Sequence, residues 1–309
     1  MRQAATNEQR QIGTKTPHRT GFGQVEGKRA VISQLSGAIA RAFLVVLLIA
    51  MPSMMLPSIS QDGALIVALI AVFAAIFTFV EYASSYPSLV EFRDAPPFNR
   101  MRFVSLFFTV FFLTLIARGQ TDPTTLTQLC DAVGTLIGKS IDFPFSPVRL
   151  VVLMMPENTS AELLIQVRTA AGISYITSLM SLAAFLIALR LNSWPGRNGQ
   201  FNVWVNLPTF DPTAGGDVVA RLRRDGQINI ILGFLLPFII PAVVKLAADT
   251  FDPISMANPE TLIWTMTAWA FLPASLFMRG IALGRVATMI QNQRQRAYAK
   301  ADLNGLQHA

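Results

Sequence analysis

Four hydroxyl residues, Ser174, Thr177, Ser178 and Ser181, recur at i, i+3, i+4 and i+7, which on a helix is one narrow face. Such a stripe either lets two helices approach closely, with hydroxyls bonded to their own helix's carbonyls, or lines a polar cavity. Packing is the plainer reading. Pro237 and Pro241 stand one turn apart in another apolar run, with Gly233 upstream. Each proline removes a backbone donor, so the helix there either kinks or opens to offer carbonyls to an ion or solute. Arg279, beside Gly280 and Gly284, either snorkels to the nearer headgroups or pairs with Glu81 or Glu91 to hold an inner gate. Two inter-span segments add a further group: Glu91, Arg93, Asp94, Phe98 and Arg100 in one, Trp204 in the other. Their charges and aromatics fit a docking surface, for a partner or for one another. The plainer alternative is a loop packed on its own helix ends.

Much chemistry is missing. The two histidines, His18 and His308, both lie in terminal tails, so no imidazole is expected for haem, zinc or a nucleophile–base pair. His-Glu-x-x-His, glycine-rich phosphate loops and metal-type cysteine spacings are absent. The single cysteine, Cys130, cannot form an intramolecular disulfide. No carboxylate falls near the middle of an apolar run, which disfavours a proton-coupled pump. The chain offers no catalytic, cofactor-binding or metal-binding set, and no cofactor is expected.

The elements that must carry these residues are six apolar runs. Hydrophobic residues make up 52% of the 309-residue chain and charged residues 14%, with a mean hydropathy of +0.46. About 20 apolar residues suffice to cross a bilayer. Spans are expected near 38–56, 64–82, 103–117, 169–191, 228–246 and 261–283. The third is short, lying between Arg102 and Arg118, and needs snorkelling or local thinning to cross. The first run starts too late for a cleaved signal peptide and reads as a signal anchor.

Of the 25 Lys and Arg, all but Arg118, Lys139, Arg149, Arg168 and Lys245 fall on one side of that arrangement. The alternation follows the positive-inside rule. It predicts an all-α, multi-pass protein of a bacterial inner (cytoplasmic) membrane, both termini cytoplasmic. The net charge of +7 is absorbed by this topology and by anionic lipid heads, and no nucleic-acid partner is expected. The lipid bilayer is the expected partner, with a membrane protein as a further candidate.

The pattern divides the chain into a disordered basic tail (1–29), a six-span domain (30–285) and a polar C-terminal helix with a frayed end (286–309). A helical insertion on the periplasmic side is expected between spans 3 and 4. It has Thr121-Asp122-Pro123 as a helix start, then Leu126, Leu129, Cys130, Val133 and Ile137 on one face. Thr159 to Glu162 matches a capping box that opens the fourth span. The cytoplasmic insertion between spans 4 and 5 reads as a strand or extended arm at 201–207, then a short helix, 218–224, stopped by Gly226. Two functions follow. The first is a non-catalytic accessory, assembly or structural subunit acting through its cytoplasmic loops. The second is a facilitator or transporter of a small solute or lipid through a cavity between spans 4, 5 and 6.

Overall fold

The computed structural model describes residues 22–57, 61–192, 194–195, 201–211, 213–248 and 255–307. His18, His308 and the first 21 residues of the expected tail lie outside them. Among the described residues every element is a helix: α1 (Phe22–Met55), α2 (Gln61–Ala83), α3 (Phe98–Gly119), α4 (Thr125–Ile141), α5 (Pro147–Leu153), α6 (Ala161–Leu191), α7 (Val203–Asn206), α8 (Val218–Ala248) and α9 (Pro259–Gln307). Six of them, α1, α2, α3, α6, α8 and α9, are long and apolar enough to cross a membrane.

Several boundaries differ from expectation. α1 begins at Phe22, inside the segment read as disordered, because extending an existing helix costs far less than starting one. α3 runs through both of its flanking arginines. Arg102 lies over the rings of Phe98 and Phe271, at 5.4 and 5.7 Å, which shelters its charge within the helix. Arg118 pairs with Asp122 at 2.8 Å, so Asp122 does not cap the next helix. Thr124 does, in a reciprocal capping box with Thr127. Ser160 rather than Thr159 caps α6, accepting from the Leu163 amide at 3.3 Å.

The stretch read as a strand is the single helical turn α7 instead. Its local bonds decide this: the Asn202 side chain accepts from the Trp204 amide at 3.0 Å, and the Leu207 amide donates to the Val203 carbonyl at 2.8 Å. Alternation over seven residues cannot outweigh a side-chain cap and a closed turn. The helix expected to stop at Gly226 continues as α8, because that glycine serves a close approach. A Cβ there would lie 2.9 Å from the Gly280 carbonyl oxygen. Span 6 and the polar C-terminal helix form one element, α9.

α9 is the central element, packed along α8 and also against α6 and α3. One core, with Val110, Val148, Val167, Met266 and Trp269, fills the end that carries α4 and α5. There α4 crosses α6 where a Cβ on Gly172 would meet the Gly138 Cα at 2.6 Å. The second core, with Phe92, Phe98, Phe185, Leu207, Leu222 and Met278, lies at the opposite end. That end, the basic end, gathers residues 83–97, residues 201–211 and 213–217, and the later turns of α9. α2 packs chiefly on α1.

Candidate functional site at the basic end

The end of α2 is closed by groups brought from elsewhere in sequence. A helix leaves its last carbonyls without partners. Here Arg93 Nη1 donates to the Ser84 and Glu81 carbonyls at 2.6 and 3.1 Å. Gln34 of α1 donates to the carbonyls of Tyr82, Ala83 and Ser84 at 3.2–3.4 Å. The buried Glu81 carboxylate accepts from the backbone amides of Ser88, Leu89 and Val90 at 2.9–3.1 Å and from the Ser88 hydroxyl. Donors converging on an ionised carboxylate compensate its burial. Three prolines bar a helix in residues 83–97, yet these bonds give the segment one defined path.

That path carries Phe92 at φ 53°, a left-handed conformation that costs a side-chain-bearing residue about 1–2 kcal/mol. It is held by full burial of the ring against Phe98, Trp194 and Phe201, with centroids at 4.6, 5.7 and 6.4 Å. It is also held by the bond from the Phe92 amide to the Asn206 carbonyl at 2.7 Å. The Asn206 side chain accepts from the Asp94 amide at 3.0 Å, and the Trp194 indole donates to the Ala95 carbonyl at 3.3 Å. The two inter-span segments therefore dock on each other.

Glu91 ties this assembly to α9. Its two oxygens accept from Arg279 Nε and Nη2 at 2.6 and 2.7 Å, a bidentate pair between residues 188 positions apart. Thr209 donates to the same carboxylate at 2.8 Å. Of the two partners considered for Arg279, the structure selects Glu91, because Glu81 is engaged by its own loop. Of the docking candidates, Glu91, Arg93, Asp94 and Phe98 share this cluster. Arg100 is exposed at its edge. Trp204 caps nothing with its ring, which is 57% exposed while Val205, Asn206 and Leu207 beside it are buried.

Deeper in the bundle the candidate cavity residues separate into two sets. Trp269 Nε1 donates to the Pro237 carbonyl at 3.1 Å, the carbonyl whose helical donor Pro241 lacks. α8 thus stays continuous, and a Cβ on Gly233 would stand 2.7 Å from the Pro273 carbonyl oxygen. Ser174, Thr177, Ser178 and Ser181 lie instead on α6, away from those prolines. The oxygens of Ser174, Ser178 and Ser181 are buried without a hydrogen-bond partner in the protein, as are those of Ser105 on α3 and Thr267 on α9. Thr109 and Thr114 of α3 behave differently, each donating to the carbonyl four residues back at 2.8 and 2.7 Å. The Phe98–Phe185 contact at 5.8 Å sets an antiparallel register that brings Ser105 to the depth of Ser178.

Among the described residues no group of three or more His, Cys, Asp or Glu is placed to hold a metal. Burial raises the pKa of the Cys130 thiol, which keeps it protonated and weakly nucleophilic. The sequence gives no sign of a role for Asn206 or Gln34 and marks Arg102 only as a span boundary. Asn206 and Gln34 act through backbone contacts distant in sequence, and only the position of Arg102 beside an aromatic run could have singled it out. Comparison with known protein families, with curated proteins and with solved structures finds no match to this chain.

Proposed function

We propose that this chain is a non-catalytic subunit of a membrane assembly, an accessory or structural component that acts through its basic end. By the distribution of Lys and Arg that end is the cytoplasmic one, in a bacterial inner membrane. The observation that carries the reading is the exposed Trp204 ring, presented on a turn whose neighbouring residues are buried and hydrogen-bonded. An uncovered aromatic on a hydrogen-bonded turn needs little backbone ordering to bind, and residues of this type dominate interface energies. Purification in mild detergent tests it. A stoichiometric companion is expected with the wild type and is lost from Trp204→Ala, with the melting temperature unchanged. A wild-type chain that emerges as a lone monomer overturns the proposal.

A facilitator of a small polar solute is the second reading, favoured by the unpartnered hydroxyls of Ser105, Ser174, Ser178, Ser181 and Thr267. Buried hydroxyls without partners cost about 1–3 kcal/mol each, so a row of them fits a path that holds water. The path lies among α3, α6 and α9 rather than beside the two prolines. Ser178→Cys, in a Cys130→Ser background, is then modified by a charged thiol reagent in intact membranes. Complete protection removes this reading.

A further inference from the structure

At the basic end, α1, α2, α3 and residues 92–96 line an open cavity of about 700 Å³. A second, more polar cavity of about 340 Å³ shares Arg41, Tyr82, Arg93 and Asp94 with it. The larger one is two-natured. Leu44, Val45, Phe103 and Val104 line its apolar part, while Arg41, Arg93 and Arg100 stand at its other part. Because α2 packs chiefly on α1, the gap between α2 and α3 is left to the surroundings of the bundle.

The charges do not balance. Arg93 is matched by Asp94, at 3.1 Å. Neither Arg41 nor Arg100 forms an ion pair among the described residues. Arg41 belongs to an apolar span, Ile32–Met55, where an unpaired guanidinium is costly. It is nonetheless held in place, with Nη1 on the Gly37 carbonyl at 2.7 Å and its guanidinium 4.6 Å from the Tyr82 ring centroid. Two cations without an ion-pair partner at the polar end of an apolar groove, one of them held in place, complement one kind of molecule, an amphiphile with an anionic head. A free phosphate would leave the apolar part empty, and a zwitterionic lipid would leave the charge unmatched.

We propose that this groove binds an anionic phospholipid of the adjoining leaflet, its phosphate between Arg41 and Arg100 and an acyl chain along Leu44, Phe103 and Val104. The site is independent of any protein partner. Native mass spectrometry of the intact protein, exchanged into detergent with equal phosphatidylglycerol and phosphatidylcholine, reads it directly. The wild type is expected to retain phosphatidylglycerol preferentially. Each basic residue near a lipid surface contributes about 1 kcal/mol, or roughly fivefold. Arg41→Gln with Arg100→Gln should therefore cut the preference by more than tenfold with unchanged helicity and melting temperature.

Val104→Trp keeps both charges but fills the apolar part, and should also lower retention. Arg190→Gln with Arg285→Gln removes exposed charge from the same end outside the groove, and should leave retention intact. Equal retention of the two lipids by the wild type overturns the proposal. So does an equal loss in the Arg190 and Arg285 variant, which would mean general surface attraction. Full retention by Val104→Trp, or displacement of the lipid by inorganic phosphate alone, also overturns it, since either would remove the acyl chain from the groove.

Discussion

Two hairpins of long helices in this molecule are held in opposite ways. In α8–α9 the backbones touch: Cβ atoms on Gly226, Gly233 and Gly280 would each lie under 3.0 Å from an atom of the facing helix. In α1–α2 a Cβ on Gly37 would meet only Arg41 of its own helix, and the apolar window of α2 is 6% buried against 44% for α9. α2 is pinned at its end instead, by Gln34, Glu81 and Arg93. Lipid tails are as apolar as leucine, so burial alone gives membrane helices little reason to associate. Close backbone approach is one remedy and convergent polar bonds at a terminus are another. The first fixes a whole interface. The second fixes one end and leaves the rest of the helix open to lipid or to a partner.

The comparison can be broken most sharply at Gly280. Gly280→Leu drives a side chain into Gly226 and Ile230, and we expect a loss of about 3 kcal/mol or no folded protein, read from the thermal melt in detergent. Arg279→Gln is next. It strands Glu91, whose side chain is 11% exposed. The full penalty for breaking a buried pair is about 3–5 kcal/mol, and the partial exposure of Arg279 brings this to about 2 kcal/mol. Glu91→Gln combined with Arg279→Gln should recover much of it, a result that a purely steric role for Arg279 would not give.

Trp269→Phe leaves the Pro237 carbonyl without a donor and should cost about 1–2 kcal/mol, confined by hydrogen exchange to the middle of α8. Glu81→Gln should cost about 1 kcal/mol and speed exchange at the amides of Ser88, Leu89 and Val90, with α8 unaffected. Equal acceleration along α8 would contradict the separation of the two hairpins. The smallest effect is expected at Asp217. It accepts from Arg294 and from the Ala220 amide, and these hydrogen bonds, the one from Arg294 foremost, hold its pKa below the ordinary 3.8. A depressed carboxylate stabilises above its unfolded pKa, and that contribution is lost as pH falls through the lower folded value. Protection of the Ala220 amide, taken relative to intrinsic exchange at each pH, should therefore fall only in that acidic window, and Asp217→Asn should remove this fall.

What is local was legible: six apolar runs long enough to cross a bilayer become six long apolar helices. Readings failed where one residue served a distant neighbour. Gly226 looks like a stop signal and is a contact point. Residues 201–207 alternate like a strand but close one helical turn, because Asn202 caps it and Asn206 is engaged by Asp94. Arg102 looks like a boundary but is sheltered by a ring of its own helix and by Phe271 of α9.

The sequence by itself determined that the described chain is helical with six runs able to span a bilayer, since run length and apolarity are properties of contiguous residues. Only the tertiary structure decided that Glu91 rather than Glu81 meets Arg279, that Trp269 supplies the donor missing at Pro241, and that Arg41 and Arg100 share one groove. Those outcomes depend on which surfaces meet in three dimensions. A pairing across 188 residues is set by the packing of helices in between, and no local pattern encodes it.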